Sequence, residues 1–239
     1  MRPMNLGTLM VNNYLFPTLA GYLLVDTGYE GGGEVFFRQL SRKKIDPNEL
    51  QWVFLTHAHD DHAGFLNEVL RGTRARVLLH PLALERLRSG RNPDLGGCPN
   101  LRASLGCQVM ERMGRGKHTF PPLPRELENR CIPLEGARRR DLESNLGVRF
   151  LDTPGHTADS MSLLTEDGAL FCGDAAMAGP FAKHYISLWV EDAEEYRASW
   201  GTLLDTGARM VYPGHGGAFP LGLLARAMPH LKHLAIRRT

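Results

Sequence analysis

Short apolar runs alternate with helical stretches over the first third of the chain. Gly21-Tyr22-Leu23-Leu24-Val25 is an apolar run stopped by Asp26-Thr27-Gly28, which reads as a buried strand and a turn. Glu34 to Arg42 puts Phe36, Phe37 and Leu40 on one side of a helix. Trp52 to Thr56 reads as a second buried strand, His62 to Leu70 as a helix, and Arg76 to Leu79 as a third strand. This β-α alternation predicts a layered α/β domain. It resumes near the end. Val148 to Asp152 reads as a strand, and Met161–Thr165 and Ala169–Cys172 flank Glu166-Asp167-Gly168, a hairpin signal. Glu191 to Asp205 spaces Tyr196, Trp200, Leu203 and Leu204 along one helix face, and Met210 to Tyr212 reads as a last core strand.

Residues 85–147 break the rhythm with Gly96-Gly97 and prolines at 93, 99, 121, 122 and 124. Between Glu85 and Arg149 lie 13 Lys and Arg against eight Asp and Glu, a net of +5 where the whole chain carries only +2. The expectation is a single domain over residues 1–239, interrupted by a basic, partly helical insertion at about 85–147 whose charges face water.

Composition narrows the class. The 239 residues are 43% hydrophobic and 23% charged, ordinary for a folded protein and enough for a sizeable core. No apolar stretch is long enough for a membrane span, and the start, Met1-Arg2-Pro3-Met4-Asn5, has no apolar core of a secretory signal. A net charge of +2 and one short basic cluster, Lys232 to Arg238, do not call for nucleic acid. Four cysteines are too few for a disulfide framework. Cys98, Cys107 and Cys131 have no metal-ligand spacing and read as reduced thiols, and Cys172 as a small core residue. The ten histidines are the informative part.

Thr56-His57-Ala58-His59-Asp60-Asp61-His62 holds three histidines and two aspartates within six residues. Neutral imidazole and carboxylate are the usual ligands of zinc and similar cations. An extended loop would turn His57 and His59 to the same side, while Asp61 and His62 enter the next helix and face a second point. Further candidates follow later strands: His156 in Thr153-Pro154-Gly155-His156, Asp174 after Cys172-Gly173, and His215 in Tyr212-Pro213-Gly214-His215. Asp26 also closes a strand. Sites at the carboxyl ends of strands are how α/β proteins build function. Gly155 and Gly214 read as bends that turn the next histidine inward. Asp60 reads as a solvated charge at a helix start, and His80, His118, His230 and His233 as surface or packing residues.

The ordered pattern of Asp26, His-x-His-x-Asp-His at 57–62, His156, Asp174 and His215 resembles the metallo-β-lactamase superfamily of metal-dependent hydrolases, over residues 13 to 217. The resemblance implies a four-layer αββα sandwich with two divalent ions, zinc first and iron or manganese next. It implies His57, His59 and His156 on one ion, Asp61, His62 and His215 on the other, Asp174 bridging, and Asp26 orienting a ligand. It further implies a metal-bridging hydroxide that cleaves an ester-type bond such as a thioester or lactone, with Asp61 orienting the hydroxide and taking its proton.

Departures from the branches narrow this. Zinc β-lactamases commonly have Cys where this chain has Asp174. The redox di-iron branch has Glu where it has His59. The nuclease branch carries a long inserted domain, for which 239 residues leave no room. Glyoxalase II has Lys and Tyr after its bridging Asp, matched in offset by Lys183 and Tyr185. It also has His where this chain has Ala58, and Glu where it has Gly216. Lys183, His184 and Tyr185 are thus candidate contacts to an anionic substrate. The alternatives are a phosphodiesterase of the same superfamily, a mononuclear iron oxidoreductase of the persulfide dioxygenase type, and a non-catalytic binding protein. The expected setting is cytoplasmic, with a small-molecule substrate, no nucleic acid or membrane, and a chain acting alone or as a homodimer.

Overall fold

The computed structural model describes residues 3–93, 95–115, 118–232 and 234–237. Met1, Arg2, His233 and Arg238 of the readings above lie outside the described residues. The chain divides into two units, Met1–Pro93 with His118–Gly147, and Asp94–Lys117 with Val148–Thr239.

The first unit is built on a six-stranded sheet in the order β1-β2-β3-β4-β5-β6. Its strands are β1 (Met4–Asn5), β2 (Tyr14–Thr18), β3 (Gly21–Val25), β4 (Leu50–Phe54), β5 (Arg76–Leu79) and β6 (Cys131–Pro133). β1, β2 and β3 pair antiparallel, whereas β3 to β6 run parallel. Consecutive residues of the parallel strands, Leu23 and Leu24, Val53 and Phe54, Val77 and Leu78, are all fully buried. That is the continuous apolar run a strand shows when both faces are covered.

The helix α1 (Gly33–Arg42) inserts Phe36 and Leu40 into this core, as its spacing predicts. The predicted helix from His62 to Leu70 is in fact two, α2 (Asp60–Ala63) and α3 (Leu66–Gly72). The His62 carbonyl, which would accept the next helical bond, instead takes the Thr27 N–H and the Thr27 hydroxyl, each at 2.8 Å. α4 (Ala83–Ser89) and α6 (Gly136–Leu146) complete the unit.

β6 lies inside the stretch read as an insertion, yet it extends the core sheet, pairing Ile132 with Leu78. Arg130, just before it, reaches back to the end of α3. Its guanidinium donates to the carbonyls of Leu70, Thr73 and Ala75. A cation there satisfies the Leu70 carbonyl that the ending helix leaves open, and two carbonyls of the turn that follows it. Arg130→Ala is expected to lower unfolding stability by about 1.5–3 kcal/mol, the range for hydrogen bonds to a charged group. Urea denaturation measures it, and a loss below about 0.5 kcal/mol would mean that water replaces the arginine freely.

The second unit carries a five-stranded sheet in the order β11-β10-β9-β8-β7. Its strands are β7 (Val148–Asp152), β8 (Met161–Thr165), β9 (Ala169–Gly173), β10 (Met210–Pro213) and β11 (Phe219–Pro220). The β8–β9 hairpin turns at Gly168, whose φ of 84° is left-handed. β9 and β10 are its parallel pair. α7 (Ala193–Asp205) is capped by Asp192, which accepts from the Glu194 and Glu195 N–H groups. It buries Tyr196, Trp200 and Leu203, the face its spacing predicts. α5 (Leu101–Arg112), from the stretch read as an insertion, and α8 (Gly222–Ala227) also belong here. No helix among the described residues is long and apolar enough to cross a membrane.

Candidate metal centre

In the first unit the site grows from the carboxyl ends of the parallel neighbours β3 and β4. The chain leaves β3 through Asp26, whose φ of 58° lies in the left-handed region that aspartate tolerates better than most residues. This carboxylate is 1% exposed and takes three donors. Its Oδ1 accepts the Thr56 N–H at 2.7 Å, and its Oδ2 accepts the Thr56 hydroxyl at 2.7 Å and His62 Nδ1 at 2.8 Å. A buried carboxylate persists only with such partners.

These bonds fix two histidine tautomers. A carboxylate only accepts, so His62 carries its proton on Nδ1 and keeps the Nε2 lone pair. The Thr56 hydroxyl has spent its proton on Asp26. Its oxygen, 3.1 Å from His57 Nδ1, therefore accepts from that nitrogen, and His57 also keeps the lone pair on Nε2. Asp26 thus sets one ring directly and the other through Thr56. The His57 ring lies 4.6 Å from that of His59 and 4.1 Å from that of His62. His59 has extended backbone, φ −94° and ψ 161°, as the loop reading requires. Asp61 Oδ1 lies 3.8 Å from His62 Nε2.

Asp60 departs from the solvated charge expected of it. It is half-buried and accepts from Asn92 Nδ2 at 3.4 Å. Burial first, and the charge of Asp61 second, push its carboxyl up to about 7. Cations bound beside it would draw it back down.

In the second unit, β7 leads into Thr153 and then His156, which is 2% exposed. Gly155 has φ 119°, and a Cβ there would lie 2.2 Å from the Tyr196 nitrogen. His156 Nδ1 is 2.7 Å from the Trp189 carbonyl and 3.1 Å from Ser187 Oγ. A carbonyl only accepts, so Nδ1 is the N–H and Nε2 again holds the lone pair. Asp174 follows β9, and His215 follows the parallel neighbour β10. One carboxylate oxygen, Asp174 Oδ2, lies 3.4 Å from His215 Nε2 and 3.7 Å from His156 Nε2. That is the disposition a shared carboxylate needs.

The bend at His215 differs from the reading. Gly214 donates its N–H to the Gly173 carbonyl at 2.8 Å, and Gly216 is the left-handed glycine, with φ 83°. Around this half-site α7 acts as a rack. The Tyr196 hydroxyl accepts the Ser187 N–H, Ser199 Oγ donates to the Pro154 carbonyl, and Trp200 Nε1 donates to the Ala175 carbonyl.

The three residues read as substrate contacts follow Asp174 at a distance. Lys183 is exposed. The His184 ring stacks on His230, centroids 3.5 Å apart and planes 12° apart. The Tyr185 ring packs on Phe219 at 4.3 Å. The sequence alone points to no role for Thr56, Trp189, Ser187 or Asn92. Only Thr56 carried a signal, as a hydroxyl beside the first histidine of the motif.

The donor chemistry fits a divalent cation of the zinc or iron kind. His57, His62 and His156 have Nδ1 anchored and the lone pair on Nε2, and carboxylates stand close by in both units, Asp61 Oδ1 3.8 Å from His62 Nε2 and Asp174 Oδ2 3.7 Å from His156 Nε2. The fold and these donors describe an α/β protein of two sheets whose histidines and aspartates are suited to binding metal. The family model described as the metallo-beta-lactamase superfamily matches residues 6–215, and the chain belongs to that superfamily.

Among its relatives is the beta-lactamase-like protein 2 homolog of Drosophila melanogaster, 26% identical over 221 residues, 92% of this chain and 63% of that protein. Another is the atrochrysone carboxyl ACP thioesterase of Aspergillus fumigatus, 28% identical over 214 residues, 86% of this chain and 50% of that protein. The chain thus spans between half and two thirds of the length of these relatives. Among solved structures, TTHA1623 in a di-iron-bound form matches with a TM-score of 0.66 and 27% identity, over 96% of this chain and 100% of that one.

Proposed function

We propose that the chain is a dinuclear metal-dependent hydrolase that cleaves an ester-type bond of a small anionic substrate, with a thioester as the first candidate. The observation that carries it is the tautomer control at His57, His62 and His156, each with Nδ1 tied down and the lone pair placed on Nε2. A buried histidine that served packing alone would not need its outward nitrogen kept as a lone pair.

In this reading His57, His59 and His156 hold one ion, and Asp61, His62 and His215 hold the second, with Asp174 shared. The ions would supply Lewis acidity and the acidification of a water molecule. Four positive charges against the carboxylates of Asp61 and Asp174 leave the centre positive, which favours a carbonyl oxygen and an anionic substrate. Asp61 keeps 17% of its side chain exposed, so a proton taken on its Oδ atoms can pass to solvent. Lys183 stands at the surface as the cation to meet the substrate's charge. The thioesterase among the relatives supports the thioester, and the di-iron structure supports iron beside zinc as the metal.

Elemental analysis of the loaded protein, joined to a panel of thioester, lactone and phosphodiester substrates, tests this. About two ions per chain and turnover of a thioester or lactone are expected. One equivalent in excess metal would sink the dinuclear reading, and turnover of the phosphodiester alone would replace the ester reading by its rival.

A further inference from the structure

Outside the metal ligands, two thiols of the second unit stand close together. Cys98 Sγ and Cys107 Sγ are 3.3 Å apart, in residues nine positions apart in sequence. Both backbones are held where they are. Cys98 forms a two-way bridge with Arg237, its N–H donating at 2.9 Å and its carbonyl accepting at 3.0 Å. Cys107 lies on α5, which Asn100 caps by accepting the Ala103 N–H, and the adjacent Gly106 packs against Phe181. Closing from 3.3 Å to the roughly 2.05 Å of a sulfur–sulfur bond is within reach of side-chain rotation.

The pair also touches a segment that matters to the site. Cys107 Sγ donates to the Leu188 carbonyl at 3.9 Å. Gly97 and Val190 exchange two backbone bonds, each 3.0 Å, and Trp189 Nε1 donates to the Leu95 carbonyl at 2.9 Å. The Trp189 carbonyl in turn holds His156 Nδ1. The thiols therefore sit against the strap that keeps His156 in its tautomer.

We propose that Cys98 and Cys107 are an oxidation site, a dithiol that closes to an intramolecular disulfide under a two-electron oxidant of the peroxide class. Cys98 is fully buried and Cys107 partly exposed, so Cys107 meets the oxidant first. The peroxide O–O bond breaks, and Cys107 becomes a sulfenic acid with release of one water. The Cys98 sulfur then attacks the Cys107 sulfur. The S–O bond breaks, the leaving hydroxide takes the Cys98 proton, and a second water forms. Both sulfurs are oxidised and one peroxide is reduced to two waters. The neighbouring sulfur draws the Cys98 thiol down, which suits it to the second step. The same neighbour, together with burial, pushes Cys107 up, so the first step is slow. Closure removes the S–H that Leu188 accepts, and so registers on the strap at residues 187–190.

The test uses the full chain as purified. It is treated with excess hydrogen peroxide, alkylated with N-ethylmaleimide under denaturing conditions and weighed intact. Uptake should fall from all four cysteines to two, with loss of two hydrogens. Trypsin cuts after Arg91, Arg102 and Arg112, so a peptide pair of residues 92–102 and 103–112 should run joined and separate on reduction. Cys107→Ser should take up three equivalents before and after peroxide. In the oxidised wild type, exchange of the Val190 amide should change, while that of Leu78 in the other unit should not. Uptake that stays at four, a bond through Cys131 or Cys172, or Cys107 carried to sulfinic acid without a joined peptide would each overturn the proposal.

Discussion

Asp26→Asn is expected to weaken metal binding at both proposed positions, by up to about 100-fold at each, although Asp26 touches no ion in the proposed scheme. The Thr56 N–H is a fixed donor, so the asparagine carbonyl must stay where Oδ1 now accepts it. The new NH2 then takes the place of Oδ2, facing His62 Nδ1 and the Thr56 hydroxyl. A donor there forces His62 to accept on Nδ1 and to move its proton to Nε2, the nitrogen meant for the ion. It also frees the Thr56 hydroxyl to donate to His57 Nδ1, which reverses that ring in the same way. One substitution of nearly unchanged shape therefore turns both ligands over. Thr56→Val should disturb the His57 arm alone and cost about 10- to 100-fold at one position. Competition with a chromophoric chelator measures both. Equal losses in the two variants, or none in Asp26→Asn, would remove the relay.

Gly216→Ala should destabilise the protein by at least about 4 kcal/mol, the sum of a strained backbone and an unrelieved clash. The residue sits at φ 83°, and an added Cβ would fall 0.9 Å from the Ala178 carbonyl oxygen. Because that obstacle is backbone, no rotamer change relieves it. The damage reaches the site, since the Ala178 N–H donates to the His215 carbonyl at 2.9 Å. Gly217→Ala is the matched control. Nothing lies within 4 Å of its Cβ, and its change should stay within about 0.5 kcal/mol. Guanidinium unfolding of the pair reads the difference, and similar midpoints for both would contradict the packing at 216.

The histidines and aspartates of the candidate site are legible in the sequence because their signal is local. His57 to His62 is one short segment, and His156, Asp174 and His215 each follow an apolar run that itself reads as a strand. What escaped rests on contacts between residues far apart in sequence. β6 is three residues long, emerges from a proline-rich stretch and is a strand only because β5 offers it an open edge. The break between α2 and α3 is made by Thr27, 35 residues before His62, and a period of apolar positions cannot see it. Asp60 reads as a solvated charge until Asn92, 32 positions later, folds over it. Two glycines flank His215, and the need for a left-handed one at 216 comes from the Ala178 carbonyl rather than from the local motif.

The division of the chain has a consequence for its synthesis. Residues 95–115 belong with Val148 onward, while the stretch between them, His118–Gly147, returns to the first unit. A ribosome adding about 5–20 residues per second finishes the first unit when Gly147 clears, with 95–115 already outside and without their sheet. Cys98 finds its bridge partner only when Arg237 appears. For roughly 5–20 s the exposed pair Leu101 and Leu105, and both thiols, wait in a segment that has no home yet. Slowing translation after Gly147 would lengthen that wait and raise aggregation, whereas slowing it before Leu101 would leave the yield of folded protein unchanged.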